Sequence, residues 1–203
     1  MPLQNRVLPT GEIVAITGRG LFTGNRGILH RPDHTLGASR WTHKHWICCA
    51  LQHPTGAYHG PMPDRRWTAL FFLDEAVALA AGHRPCFECR RADALRFQAA
   101  WAKAHGPARA PQIDGILHPA RVRRDRSQVR HEVDAPDLPS GTFCLVDGKA
   151  ALILNHQLHL YSASGYTSRS PLPKREVTVL TPAPVVRTLA AGYLPELHPT
   201  AET

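Results

Sequence analysis

Residues 71–91 constrain this chain more than any other part of its sequence. Asp74 is a good N-cap residue, the alanine-rich run after it favours a helix, and Gly82 stands where a glycine often ends one. Cys86 and Cys89 follow at once. Their Cys-x-x-Cys spacing allows two thiolates to bind one tetrahedral zinc ion. The order of helix, glycine stop, cysteine pair and second helix therefore predicts a zinc site.

The charge of the chain predicts a nucleic-acid partner. The formal charge is +8, and arginine greatly outnumbers lysine between residues 84 and 130. Guanidinium is the better bidentate partner for phosphate, and a basic cluster beside a zinc site is typical of nucleic-acid binding. Arg84, Arg90 and Arg91 are the predicted contacts. The alternative is an arginine-rich composition inherited from a GC-rich genome.

Several features predict a cytoplasmic protein without a membrane partner. No apolar run approaches the roughly 18 residues that a membrane span needs, and the N-terminus has no apolar signal region. The cysteine count is five, an odd number, and two of the five form the Cys-x-x-Cys pair. This pattern favours metal binding in a reducing compartment over disulfides.

The distribution of helix and strand patterns predicts an α+β fold. Residues 1–105 are expected to form a zinc-binding αβ domain with a glycine-rich N-terminal loop. Residues 106–141, rich in proline and arginine, are expected to be a connector. Residues 142–203 are expected to form a β-rich region ending in a short helix, with an Asp147-Gly148 hairpin near its start.

Within the first domain the patterns predict a hairpin and two helices around the metal. The hairpin strands are expected at about 46–51 and 67–72, and the hairpin would carry Cys48 and Cys49 toward the Cys-x-x-Cys pair. The helices are expected at about 74–81 and 90–105. The glycine-rich loop at residues 18–27 lacks the Gly-Lys-Ser/Thr ending of a Walker sequence.

The metal ligands predicted from the residues are Cys49, Cys86, Cys89 and a histidine. Adjacent residues in a strand point to opposite faces, so Cys48 and Cys49 are not expected to share one ion. Cys49 is preferred because it lies four residues before His53. His30 is the predicted fourth ligand, with His53 and Cys48 left open as alternatives.

Residues 71–91 resemble the metal-binding domain of the Ada adaptive-response proteins, most closely from Ala78 to Arg90. In that family a short helix ends in Ala-Ala-Gly-aromatic-Arg-Pro-Cys-x-x-Cys, four cysteines hold zinc, and the first of them accepts a methyl group from a DNA phosphotriester. The resemblance implies a role in DNA repair or regulation, with Cys49 as the catalytic acceptor and the Cys-x-x-Cys pair as structural ligands. The family's first two ligands form a Cys-x-x-x-Cys pair, whereas this chain has adjacent Cys48 and Cys49.

Two other functions remain open from the sequence. A zinc-dependent nuclease of the treble-clef type would need a histidine base near a metal with an open position, and the segment from Asn25 to His30 is its most plausible source. A purely structural zinc protein needs no nucleic acid at all. Salt-dependent binding to random DNA distinguishes the DNA-binding module and the nuclease from the purely structural zinc protein.

Overall fold

The computed structural model describes residues 2–18, 20–52, 54 and 67–201 of the chain. These residues form four α-helices and two six-stranded sheets, which confirms the α+β class. Within this described part, no helix combines the length and the apolar character that crossing a bilayer requires.

The first sheet is built from the N-terminal half of the chain. Its strands are β1 (Arg6–Val7), β2 (Ile13–Val14), β3 (Phe22–Asn25), β4 (Ile47–Ala50), β5 (Leu70–Phe72) and β6 (Arg84–Pro85). They lie in the order β2-β1-β5-β3-β4-β6. The strands β4 and β5, which the sequence predicted as a hairpin, are instead separated by β3, which pairs antiparallel with both.

The strand β3 occupies part of the segment that was predicted as a glycine-rich loop. Gly24 allows the close packing there, because a Cβ at this position would lie 2.1 Å from the carbonyl oxygen of Ile47. Thr23 adds a hydrogen bond from its hydroxyl to the carbonyl oxygen of Leu70, at 2.8 Å. A glycine inside a strand often marks such a close approach of two backbones.

The second sheet is entirely antiparallel and contains the C-terminal strands. These are β7 (His131–Asp134), β8 (Phe143–Val146), β9 (Lys149–Leu154), β10 (Gln157–Ser162), β11 (Gly165–Pro171) and β12 (Glu176–Val179). They lie in the order β11-β10-β9-β8-β12-β7. The predicted β8–β9 hairpin is confirmed: Val146 pairs with Lys149, and Asp147 and Gly148 both have positive φ, at 50° and 76°, as a two-residue primed turn requires.

The helices comprise α1 (Glu75–Ala80), α2 (Arg91–His105), α3 (Ala110–Arg121) and α4 (Ala183–Ala190). The predicted ends of α1 are confirmed. The Asp74 carboxylate accepts a hydrogen bond from the backbone N–H of Val77 at 2.9 Å, and Gly82 has φ +86°. The backbone N–H of His83 then donates to the carbonyl oxygen of Ala78, which completes a Schellman-type end.

The segment 106–141 contains helix α3 and strand β7, although the sequence predicted a connector there. Ile113 and Leu117 of α3 are fully buried in a cluster that includes Trp101 of α2 and Leu189 of α4. Burial of one face against two other helices stabilises α3 despite Pro119 near its C-terminal end.

One apolar cluster joins the two sheets. It packs Phe72 of the first sheet and Val77 of α1 with Phe143 and Leu152 of the second sheet. All six residues of α1 are buried. The N-terminal and C-terminal parts of the chain therefore share a core around α1, and the helix holds the segment after it, which carries Cys86 and Cys89, in a fixed position.

Candidate metal centre

Three cysteines form one group, one from a strand and two from the turn that follows its neighbouring strand. Cys49 lies in β4, Cys86 follows β6, and Cys89 precedes α2. Their sulfur atoms all lie within 4.8 Å of one another, and all three residues are buried. The structure thus brings together the three cysteine ligands that the sequence predicted.

Direct pairing of β4 with β6 positions these cysteines. The two strands are parallel, with Ile47 opposite Arg84 and Cys48 opposite Pro85. The backbone N–H of Cys86 donates to the carbonyl oxygen of Cys48 at 2.9 Å, which extends the ladder to the first cysteine of the pair. The cluster is therefore built by a parallel contact between β4 and β6, and not by the predicted hairpin.

The turn between Cys86 and Cys89 points backbone donors toward sulfur. The N–H of Glu88 donates to Cys86 Sγ at 3.4 Å, and the N–H of Cys89 also hydrogen-bonds to this sulfur. The N–H of Arg90 instead donates to the carbonyl oxygen of Cys86 at 3.1 Å, which closes the turn. Hydrogen bonds to the charged form favour a thiolate. The local geometry is thus suited to a deprotonated Cys86.

The thiols of the cluster have pKa values shifted in different directions. Hydrogen bonds from the thiols of Cys49 and Cys89, together with the backbone N–H groups of Cys89 and Glu88, lower the pKa of Cys86. Hydrogen bonds to Cys86 and Cys89, followed by burial, raise the pKa of Cys49. Because three thiolates this close repel one another, a bound cation is what would allow all three to lose their protons.

Cys48 points away from this group, as the alternation of side chains along β4 requires. Its sulfur lies 3.5 Å from Nη1 of Arg90, and burial is the main reason why its pKa is well above the ordinary thiol value. Cys144 lies apart in the second sheet and is also fully buried. Burial raises the pKa of Cys144 to about 12.

The predicted fourth ligand, His30, is not part of the cysteine group. Its Nδ1 lies 3.2 Å from Thr68 Oγ1 and its Nε2 lies 3.0 Å from the carbonyl oxygen of Gln4. Both ring nitrogens are therefore occupied by the protein. No other histidine, cysteine or carboxylate joins the group among the residues that the structure describes, and His53 lies outside them.

Two of the three arginines predicted to contact phosphate are buried in ion pairs. Arg84 contacts Asp114 through two hydrogen bonds of 2.9 and 2.7 Å. Arg90 contacts Glu75 at 3.0 Å and Asp93 at 2.8 Å. These carboxylates accept the hydrogen bonds of both guanidinium groups, so the two arginines are not available to bind a nucleic-acid phosphate. Arg91 alone of the three is exposed.

The carboxylate partners of these arginines were not recognised in the sequence. Asp114 is thirty residues from Arg84, and Glu75 is fifteen residues from Arg90. Glu75 also accepts a hydrogen bond of 2.6 Å from the hydroxyl of Tyr193, at a separation of 118 residues. The sequence around Asp114 and Glu75 does not indicate these ion pairs, because the partners meet only through tertiary packing.

Comparison with known proteins gives no relative for this chain. No protein-family model matches it, and no curated protein and no solved structure gives a significant match. The Ada-type likeness is thus a resemblance of one short motif, and the function must be inferred from the chemistry of the site.

Proposed function

We propose that this protein binds one zinc ion through Cys49, Cys86 and Cys89. The observation that carries this proposal is the approach of three buried sulfur atoms to within 4.8 Å of one another. Thiolate is a preferred zinc ligand, and a closed tetrahedral shell of mainly sulfur ligands is typical of structural zinc sites. A histidine as the fourth ligand would complete such a shell.

The zinc proposal is tested by metal analysis of the purified protein. We expect about one zinc per chain in the wild type, because structural sites with three thiolates bind zinc tightly. Cys86→Ser should lose most of this zinc. Cys144→Ser is the matched control, since Cys144 is equally buried but lies outside the cluster. Zinc well below one equivalent in wild-type protein purified without chelator contradicts the proposal.

Nucleic-acid binding is the second part of the proposed function. The support is the formal charge of +8 together with exposed arginines on α2 and in the segment after α3. Arg91 and Arg124 are exposed, and neither side chain forms a hydrogen bond or ion pair with another described residue. Such side chains are free to contact phosphate, whereas Arg84 and Arg90 are not.

The salt dependence of DNA binding tests whether these arginines contact phosphate. The Arg91→Glu/Arg124→Glu variant should bind duplex DNA more weakly than wild type and with a smaller dependence on salt, because fewer counterions are released. Arg169→Glu/Lys174→Glu, which also reverses two exposed cations but in the C-terminal region, controls for net charge. Wild-type affinity that does not change between low and physiological salt would rule out phosphate contact.

Alkyl transfer to Cys49 is the function that the Ada-type resemblance suggests for this centre. The methyl carbon would form a bond to Cys49 Sγ while its bond to the phosphotriester oxygen breaks, and that oxygen would keep the electron pair as a phosphodiester. Cys49 is the ligand from β4, outside the Cys-x-x-Cys turn. Incubation with methylphosphotriester DNA followed by peptide mass mapping should place about 14 Da on Cys49, and transfer to no cysteine would leave a binding protein only.

A further inference from the structure

A second group of titratable side chains is not part of the cysteine cluster. His45 donates from Nδ1 to Asp114 Oδ2 at 2.8 Å, and the Asp114 carboxylate is in turn held by Arg84. The Asp114 side chain is 1% exposed, whereas that of His45 is 56% exposed. A buried carboxylate behind an exposed imidazole orients the ring and fixes its tautomer, as in catalytic histidine–aspartate pairs.

His43 has the opposite tautomer to His45. Its Nδ1 accepts a hydrogen bond of 3.2 Å from the backbone N–H of His45, so the neutral ring carries its proton on Nε2. In His45 the proton is on Nδ1, so Nε2 has a free lone pair. The ring centroids are 5.9 Å apart, and neither Nε2 bonds to another described residue. The pair thus presents one acceptor and one donor side by side.

Cationic and aromatic side chains surround this pair. Lys44 is exposed between the two histidines. Trp41 is partly exposed and packs edge-on against His118. The guanidinium of Arg121 lies 4.0 Å from the Trp46 ring, and its Nε has no hydrogen-bond partner in the described structure. Arg121 and Trp46 are each only 2% exposed, so they do not contact a ligand themselves. The exposed Lys44 and the partly exposed Trp41 suit a nucleic-acid strand, with phosphate on the ammonium and a base on the Trp41 ring.

We propose that His43, Lys44 and His45 form a site that cleaves single-stranded RNA by transesterification, with Asp114 as a positioning residue. The choice of RNA rests on the proposed nucleic-acid binding. The histidine pair itself is independent of both the metal and the exposed arginines. RNA supplies its own nucleophile, the 2′-hydroxyl, so the reaction needs no water-activating metal.

The bonds in this step balance without a further reactant. The 2′-oxygen attacks the adjacent phosphorus and gives its proton to His45 Nε2. The bond from phosphorus to the 5′-oxygen breaks, and that oxygen keeps the electron pair and takes a proton from water. His43 Nε2–H and the Lys44 ammonium stabilise the charge on the phosphoryl oxygens. The products are a 2′,3′-cyclic phosphate end and a 5′-hydroxyl end, and His45 returns its proton to the solvent.

The test uses the full chain and a single-stranded RNA oligonucleotide with no added metal. We expect ends with 2′,3′-cyclic phosphate, and no cleavage of the DNA oligonucleotide of the same sequence. His45→Ala should reduce the rate roughly 10²–10⁴-fold, the usual contribution of general base catalysis. His156→Asn, purified identically, should retain the full rate. It replaces an exposed histidine at positive φ with a residue that tolerates this conformation.

The outcomes separate this proposal from the proposed function. RNA or DNA binding without cleavage overturns the RNA-cleaving site and leaves the nucleic-acid-binding protein intact. Cleavage that is equal in His45→Ala and wild type also overturns it, because the activity then lies elsewhere or in a contaminant. Circular dichroism checks that His45→Ala is folded, and His43→Ala provides a second variant with an expected loss of activity. Asp114 is unsuitable for replacement because it also neutralises the buried Arg84.

Discussion

At the scale of single residues, Arg90 shows how this fold holds a buried charge. Its side chain is 3% exposed and pairs with Glu75, which is fully buried. Its guanidinium also lies 4.2 Å from the centre of the Phe22 ring. A cation just before a helix opposes the helix dipole, but here two carboxylates compensate for it. Arg90 is therefore a structural residue of the segment that carries Cys89.

Removal of this cation should destabilise the protein strongly. Arg90→Ala leaves Glu75 buried without its partner, and breaking a buried pair costs about 3–5 kcal/mol of unfolding free energy. The neighbouring Arg91→Ala removes an exposed side chain and should stay within about 0.5 kcal/mol of wild type. Urea unfolding of the two variants measures this difference. Similar values for both would mean that Arg90 has no net structural role.

His83 should remain neutral at mildly acidic pH. Burial, followed by the charges of Arg26 and Arg121, lowers its pKa well below 6.5. Arg26 Nε donates to His83 Nε2 at 3.2 Å, so a second proton would have to face a guanidinium. Because the unfolded chain binds this proton below about pH 6.5 and the folded chain does not, this contribution to stability falls as pH decreases from 6.5.

Nuclear magnetic resonance of the imidazole nitrogens checks the state of His83 directly. We expect the shifts of a neutral ring protonated on Nδ1 at both pH 7.5 and pH 5.5. Imidazolium shifts at pH 5.5 would show that the buried cluster tolerates a further positive charge, contrary to the position of Arg26 and Arg121 around it.

At the scale of secondary-structure elements, two helices end in the same Leu-Ala-Ala-Gly sequence but in different surroundings. Gly82 after α1 and Gly192 after α4 both have positive φ, at 86° and 103°. A Cβ on Gly82 would lie 2.5 Å from Arg121 Cδ, whereas one on Gly192 has no atom of another segment within 4 Å. Arg121 is held by its hydrogen bonds to the carbonyl oxygens of Gly82 and Lys44.

Alanine substitution should distinguish these two helix ends. Gly192→Ala should cost only the strain of positive φ, about 1–2 kcal/mol. Gly82→Ala should cost roughly 1–3 kcal/mol more, because Arg121 must also move. Thermal unfolding of both variants provides the measurement. Equal destabilisation would show that Arg121 adapts freely.

The elements that were predicted correctly are those with a local signal. The helix α1 has an N-cap and a glycine stop, and the β8–β9 hairpin has an Asp-Gly turn. The strand β3 was missed because Gly24 and the glycines near it are typical of a loop. The helix α3 was missed because prolines and arginines surround its buried residues. The three clustered cysteines were also predicted: Cys86 and Cys89 from the Cys-x-x-Cys spacing, and one residue of the Cys48–Cys49 pair from the alternation along β4, with Cys49 preferred for its spacing to His53. The pairing of His45 with Asp114 was not, since 69 residues separate them.

At the scale of the whole molecule, metal removal should act mainly on the β4–β6 edge of the first sheet. The cysteine cluster connects β4 with the segment between β6 and α2, whereas the second sheet is held by antiparallel pairing and its own apolar cluster. A bound metal adds its binding free energy to the folded state only. Chelation should therefore lower the melting temperature and reduce amide protection around the cysteines before it affects β8 to β10.

Hydrogen exchange with and without chelator measures this distribution. We expect faster exchange in β4, β6 and the first turn of α2, with protection retained in β8, β9 and β10. Uniform loss of protection would mean that the two sheets unfold as one unit through their shared core. No change after the metal has been removed would show that the cluster contributes nothing to folding.

The most direct measurement of the central claim is zinc X-ray absorption spectroscopy on wild type, Cys49→Ser and Cys48→Ser. The account predicts three sulfur ligands at about 2.3 Å and one nitrogen ligand in the wild type. Cys49→Ser should lose one sulfur ligand. Cys48→Ser should retain all three, because Cys48 faces Arg90 on the other side of β4. Four sulfur ligands in the wild type, or loss of a sulfur ligand in Cys48→Ser but not in Cys49→Ser, would contradict it.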